Sequence, residues 1–261
     1  MIFGKTIVVT GAASGIGKRT AELAARMGAD VIGIDINEPA IPAGRFLKGD
    51  LSSPEGVAEI AMALPDRIDG LCNIAGLSGR AGAVKTLSVN FYGLRALTEA
   101  LAPKLRDGAA VVNLASLAGY GWRTEVERAR DLCDAEGFPE VEALVARHGI
   151  GDAESYPVSK QVLILWTQRA AHQPLFKSRG IRVNAVSPGP VETPILSDFR
   201  QVLGDEKVDG DVARAGRAGI AEDIAPPVLF LCSDAARWIN GANIPVDGGV
   251  EASINADVIG F

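Results

Sequence analysis

The chain has two histidines and three cysteines among its 261 residues. Cys72, Cys133 and Cys232 are an odd set without metal-ligand spacing. They predict reduced thiols in a cytoplasmic protein and no metal site. Neither His148 nor His172 has the setting of a hydrolase triad, which leaves both as surface residues. Long apolar runs are also missing. Val162-Leu163-Ile164-Leu165-Trp166 is far short of the roughly 18 residues a membrane span needs. The opening Met1-Ile2-Phe3-Gly4-Lys5 leads straight into a β-like run and leaves no room for a signal peptide. Lysine and arginine are scattered singly and the net charge is −6, which argues against a nucleic-acid surface. No internal repeat and no linker rich in Pro, Gly or Ser divides the chain. What remains is a single soluble domain of enzyme size, residues 1–261.

What is present is an alternation. Residues 6–10 (TIVVT) form a β-branched run of the kind that fills a strand buried on both faces. Residues 18–27 have helical spacing and Gly28 marks their stop. Strands are expected at 31–36, 45–49, 70–74, 109–115 and 181–186, with a last one near Ile244. Helices are expected after Ser53-Pro54, at 86–105 and 158–171, and near Leu229. This order predicts an α/β fold of Rossmann type: a doubly wound parallel sheet with right-handed crossovers and helices on both faces. Ligands in such sheets lie beyond the carboxyl ends of the strands.

Three places break the pattern. Residues 37–44 contain Pro39, Pro42 and Gly44, so this crossover cannot hold a regular helix. Residues 121–155 form an insertion with helical patterns at 124–135 and 139–147, rich in charge. It is either a solvated surface segment or a substrate wall or interface, and its position between Ser116 and Tyr156 predicts that it flanks the active site. Pro226 and Pro227 predict a helix that is kinked, or regular only beyond Pro227.

Chemistry concentrates at strand ends. Gly11-Ala12-Ala13-Ser14-Gly15-Ile16-Gly17 follows a strand and opens a helix, as a pyrophosphate-binding turn requires. Asp35 ends the next strand, where a carboxylate can accept from ribose hydroxyls and repels a 2′-phosphate. With Ser14 and Ile36 supplying no positive charge, the expected cofactor is NAD. Tyr156 and Lys160 lie four apart on one helix face, and Ser116 follows the strand 109–115. A phenol of pKa about 10 is a poor base at neutral pH. The Lys160 ammonium and a positive nicotinamide ring are expected to lower it, letting Tyr156 take an alcohol proton while Ser116 holds the oxygen.

With these pieces the chain resembles the short-chain dehydrogenase/reductase family over essentially its full length. The matching motifs are the glycine turn, Asp50-Leu51, Asn73-Ile74-Ala75-Gly76, Asn90, Ser116, Tyr156 with Lys160, and Pro188-Gly189. The resemblance implies that Asp50 and Leu51 lie near the adenine, and that Asn73, Ala75 and Gly76 stabilise the central strand and line the cofactor. It makes Asn90 a catalytic residue that holds a proton-relaying water. It places Pro188, Gly189, Val191 and Thr193 beside the nicotinamide. Ile74 departs from the asparagine often found there.

Segments at 69–76, 188–196 and 237–241 are similar to bacterial coniferyl-alcohol dehydrogenases. The short crossover after Asp35 and the long insertion are similar to bacterial 3α-hydroxysteroid dehydrogenases. An aryl allylic alcohol is therefore the first expected substrate and a hydroxysteroid the second. A non-catalytic NAD-binding regulator would show a broken Ser, Tyr or Lys position, and an epimerase would need a larger C-terminal part. A 3-oxoacyl carrier-protein reductase would sit badly with Asp35. The expected partner is a small alcohol or carbonyl compound, with no nucleic acid or membrane. A homodimer or homotetramer is expected, its C-terminal edge near Trp238, Ile239 and Ile244 always buried.

Overall fold

Seven strands form one parallel sheet in the order β3-β2-β1-β4-β5-β6-β7. They are β1 (Thr6–Thr10), β2 (Asp30–Asp35), β3 (Arg45–Lys48), β4 (Ile68–Asn73), β5 (Leu105–Leu114), β6 (Arg182–Pro188) and β7 (Asn243–Val246). The computed structural model describes residues 1–260, and at position 203 the backbone alone. Side chains alternate across the sheet, so the apolar strand runs feed two cores. Ile7 and Val9 point into one cluster with Ile224 and Val228, whereas Val8 joins Leu71, Val111 and Leu163 in the other. The first cluster lies under α1 (Gly15–Arg26) and α11 (Ala221–Cys232). The second lies under α2 (Pro54–Ala63), α4 (Leu94–Leu101) and α7 (Asp152–Ala170). The chain order reverses between β1 and β4, the place where such sheets open a crevice.

Local signals behave as their chemistry demands. Ser53 caps α2 by accepting from the Gly56 N–H at 3.2 Å, with Pro54 next to it in the first turn. No helix forms between β2 and β3.

The expected single helix at 86–105 is four pieces: α3 (Ala83–Leu87), a π-helical turn over Ser88–Gly93, α4, and a 3-10 turn over Ala102–Lys104. All six residues of the π turn are buried. Gly93 is the reason this stretch can approach the sheet edge. A Cβ there would stand 1.9 Å from the Leu51 carbonyl oxygen.

The helix at Pro226 and Pro227 corrects one of the two expected alternatives, a helix regular only beyond Pro227. α11 is continuous from Ala221 to Cys232 with both prolines inside it, and its regularity does not wait for Pro227. The carbonyls deprived of donors are those of Glu222 and Asp223, in the first turn, where Glu222 is exposed and water can serve them. The buried face of Ile224, Val228 and Leu231 then holds the helix against α1 and the sheet.

The insertion carries α5 (Val126–Asp134) and α6 (Val141–His148), close to the expected patterns. It is anchored outward, against the helices flanking the active site. The buried Arg95 guanidinium of α4 donates to the Cys133 carbonyl at 3.0 Å and to those of Ala135 and Gly137. The Tyr92 hydroxyl donates to the Leu132 carbonyl at 3.0 Å, and Arg169 of α7 pairs with Asp134. His148 pairs with Asp131, and His172 is exposed. Among the described residues no helix is long and apolar enough to cross a membrane, and no cluster of His, Cys, Asp or Glu could hold a metal.

Two glycine substitutions separate close approach from helix propensity. Gly93→Ala forces the Leu51 carbonyl or the π turn to move and should cost about 1–3 kcal/mol in chemical denaturation. Gly210→Ala, in α10 (Asp205–Ala215) with open space around its Cβ, should be neutral or stabilising by up to about 1 kcal/mol.

Candidate active site

The carboxyl ends of the central strands open into a cavity of about 420 Å³. One end of it is the glycine turn. Gly11 has φ +73°, and a Cβ on Gly17 would lie 2.1 Å from the Gly11 carbonyl oxygen, so the turn closes only without side chains. Thr10 locks this turn to the neighbouring strand, its hydroxyl accepting from the Ile74 N–H (3.0 Å) and the Ala75 N–H (3.1 Å). Helix α1 begins without a side-chain cap and without an acidic residue in its first turn. Gly15, Ile16 and Gly17 therefore present uncapped N–H groups on the cavity wall, a ready seat for an anion.

Asp35 stands beside the turn. Its Oδ2 accepts from the Ala13 N–H at 3.0 Å and its Oδ1 from the Asn37 N–H at 2.9 Å. One donor on each oxygen orients the carboxylate and leaves lone pairs facing the cavity that Asp35, Ile36 and Asn37 line. The cations on the wall are Lys85, Lys160 and Lys207, none of them on the β2–β3 connection. Ser14, Asp50, Leu51, Ala75 and Gly76 complete this half, with Pro188, Gly189, Val191 and Thr193 on the wall after β6. The anion seat, the carboxylate and the glycine-lined approach fit a dinucleotide.

Asn73 has the first of the two roles that the resemblance implies, bracing the central strand, while Ala75 and Gly76 line the cavity. Asn73 is 0% exposed and lies behind the wall. Its Nδ2 donates to Thr98 Oγ1 and Asn113 Oδ1, both at 2.9 Å, and Asn113 donates to Thr167 Oγ1 at 2.9 Å. This buried chain ties β4 to α4, β5 and α7. Sequence reading missed Asn113, Thr98 and Thr167; polar residues inside otherwise apolar runs were the available signal.

Asn90 sits in the π turn, also fully buried. Its Oδ1 accepts from the Leu77 N–H (2.7 Å), and its Nδ2 donates to the Leu77 carbonyl (2.9 Å) and to Ser159 Oγ (3.1 Å). The side chain thus clamps the loop after β4 onto the helix that carries Tyr156 and Lys160.

Ser116, Tyr156 and Lys160 meet on the cavity wall. Ser116 Oγ accepts from the Ala118 N–H at 3.1 Å, which frees its proton for a second partner. Lys160 Nζ donates to the Leu114 carbonyl at 2.7 Å and lies 5.5 Å from the centroid of the Tyr156 ring. Tyr156 is 8% exposed and Lys160 3%. Burial dominates both ionisations and corrects the expected balance. It pushes the Tyr156 phenol up to about 12, with facing Ser116 pulling the other way. It brings Lys160 down to about 7, so at neutral pH the lysine is only partly an ammonium, and without a cofactor burial sets the direction for the phenol.

The other half of the cavity was not legible in the sequence. It is lined by Leu117, Ile195, Leu196, Phe199 and Val208, with Lys207 and Asp211. Most belong to α9 (Leu196–Leu203) and α10. Among the described residues, none of 121–155 lines the cavity, so the insertion is not the substrate wall that its sequence position suggested. Arg95, Tyr92 and Arg169 hold it on the outer side of α4 and α7.

The buried lysine makes a stability prediction. Lys160 loses its proton near pH 7 in the folded protein, against an ordinary 10.5. The unfolded chain binds more protons between these values, so stability should rise with pH across that window. In denaturation at pH 7 and pH 10 this rise should be present in the wild type and diminished in Lys160→Met.

Known proteins resemble this chain along nearly its whole length. Residues 5–126 match the family described as short chain dehydrogenase, and residues 140–251 match the one described as Enoyl-(Acyl carrier protein) reductase. The chain is 41% identical to coniferyl-alcohol dehydrogenase of Pseudomonas sp. (strain HR199 / DSM 7063), over 95% of this chain and 97% of that one. It is 29% identical to 3-alpha-hydroxysteroid dehydrogenase/carbonyl reductase of Comamonas testosteroni, over 94% and 96%. The crystal structure of the 3-alpha-hydroxysteroid dehydrogenase from Pseudomonas sp. B-0831 complexed with NADH superimposes with a TM-score of 0.83 at 31% identity, covering 97% of this chain and 99% of that one. Shared across nearly the whole chain, the likeness makes this protein an oxidoreductase of the short-chain dehydrogenase/reductase family.

Proposed function

We propose that the protein is an NAD-dependent alcohol dehydrogenase that oxidises aryl allylic alcohols of the coniferyl type and reduces the matching carbonyl in reverse. The observation that carries this is the convergence of Ser116, Tyr156 and Lys160 on a cavity whose far end is the glycine turn and Asp35. A bound nicotinamide supplies the acceptor for the hydride in oxidation and its donor in reduction. Tyr156 Oη takes the proton of the alcohol hydroxyl, and Ser116 holds the same oxygen as charge develops on it. Lys160, fixed by the Leu114 carbonyl, is the group through which that proton leaves toward solvent. Asn90 keeps the surrounding loop and the tyrosine helix in register. A phenol held near 12 needs positive charge brought beside it before it can act as a base. Cofactor and substrate must therefore assemble before the proton moves.

Asp35 supports NAD over NADP, since a 2′-phosphate would meet its carboxylate, and the NADH-bound relative is consistent with this. The 41% identity to a coniferyl-alcohol dehydrogenase favours an aryl allylic substrate. A 3α-hydroxysteroid is the second reading, favoured by the backbone likeness of the hydroxysteroid dehydrogenase structure. For assembly, the insertion covers the outer side of α4 and α7, while the edge near β7 leaves Trp238 98% exposed and Phe230 of α11 partly so. That edge is the proposed face of a homodimer, or of one pair within a homotetramer. Free cysteines suit a reducing cytoplasm.

Turnover of coniferyl alcohol, benzylic alcohols and a 3α-hydroxysteroid, each with NAD and NADP, tests the reading. NAD should be preferred at least tenfold in kcat/KM, and comparable values with NADP would contradict the role given to Asp35. Tyr156→Phe should lower kcat by about two to four decades while NAD still binds. Retained activity would require another base. Because Tyr156 must lose its proton, oxidation should accelerate from pH 7 toward pH 10 and reduction should slow over the same range.

A further inference from the structure

The roof of the substrate half touches the catalytic phenol. The Phe199 ring on α9 lies with its centroid 4.5 Å from that of Tyr156, the planes tilted by 46°. Both rings line the cavity, and Phe199 is half-buried. The preceding residue fixes this placement. Asp198 Oδ2 accepts from the Ser78 hydroxyl at 3.2 Å, and Oδ1 accepts from the Arg80 guanidinium at 2.9 Å. Ser78 follows Leu77, whose N–H and carbonyl are both held by Asn90. A continuous set of contacts therefore runs from the buried π turn through Leu77, Ser78 and Asp198 to the aromatic ring above Tyr156. The Arg80–Asp198 pair is half open to water and adds little net stability, so the Ser78–Asp198 bond and the ring contact with Tyr156 do most to place α9.

The side chains beside Phe199 are aliphatic: Leu117, Ile195, Leu196 and Val208. They accept saturated and unsaturated apolar groups alike. Among the described residues Phe199 is the one aromatic ring besides Tyr156 on this wall, and a ring offers a second ring an edge-to-face or offset contact that a saturated group cannot return. We propose that Phe199 is a specificity-determining residue. Held over Tyr156 by the Asp198 contacts to Ser78 and Arg80, it selects alcohols that carry a planar aryl group conjugated with the allylic double bond over saturated alcohols of similar length and size. This deepens the alcohol dehydrogenase reading, on which it rests.

The test separates the two. Binding of 3-phenylprop-2-en-1-ol and of 3-cyclohexylpropan-1-ol is measured by calorimetry on the protein saturated with NADH, where the alcohol has no hydride acceptor and no turnover intrudes. The wild type should favour the aryl alcohol. The ratio of the two affinities should fall about five- to tenfold in Phe199→Leu and return in Phe199→Tyr. A wild-type ratio near one, a ratio unmoved in Phe199→Leu, or no recovery in Phe199→Tyr would overturn the inference. Oxidation of the same alcohols with NAD is then read separately. Ring selectivity in binding without oxidation of either alcohol would refute the substrate reading of the active site while the role of Phe199 stands.

Discussion

Desolvation of the Tyr156–Lys160 pair is the constraint around which the active site is arranged. Placing a phenol and an amine in an apolar crevice drives both toward their neutral forms, and the structure bears this out in the two directions of shift. Neither group is then a strong base or acid by itself. Lys160 is nevertheless fixed, because its one hydrogen bond is to the Leu114 carbonyl at the end of β5, and that carbonyl cannot move without disturbing the sheet. Tyr156 is fixed by its place on α7 and by Phe199 above it. Both groups are thus held in place, buried, and poised to respond to whatever charge is brought beside them. For the proposed dehydrogenase this couples chemistry to cofactor occupancy.

Rigidity of that kind has to be carried by the scaffold. Thr10 joins the ends of β1 and β4, so the glycine turn and the loop after β4 move as one. Asn73, Asn113, Thr98 and Thr167 join β4 and β5 to the helices above them through buried hydrogen bonds. Asn73 Oδ1 is buried without a partner among the described residues, so the network carries one unsatisfied acceptor whose cost the other bonds offset. Gly93 and the π turn let α4 reach the Leu51 carbonyl, and the same turn supplies Asn90. π turns of this sort are frequent where a helix serves a site.

Much of this was legible in the residues, for identifiable reasons. Strands buried on both faces appear as continuous β-branched runs, and the pairing of Gly11 to Gly17 with Asp35 needs no tertiary knowledge. Tyr156 and Lys160 share a helix face by spacing alone. Other features depend on contacts distant in sequence. Nothing local in residues 83–101 distinguishes a π turn from an α-helix, because the deciding contact is with Leu51. The roof formed by α9 and α10 has an ordinary amphipathic pattern, and only the fold brings Phe199 to Tyr156. The insertion's position in the chain left a surface segment, an interface and a substrate wall open; buried Arg95 holds it outside the cavity through carbonyls distant in sequence. Pro226 and Pro227 were read by local propensity, which burial of Ile224, Val228 and Leu231 overrides. The opposing effect of burial on the phenol in the cofactor-free protein was not foreseen, because burial cannot be seen in a spacing of four residues.

The claim that burial keeps Tyr156 neutral until positive charge arrives is tested most directly by titrating its phenolate absorbance, as the difference between the wild type and Tyr156→Phe. In the protein alone, no phenolate from Tyr156 should form up to pH 10, the ordinary value for a phenol. With saturating NAD the difference signal should move to lower pH. A Tyr156 already ionised below pH 10 in the free protein, or one whose titration NAD leaves unchanged, would contradict the account.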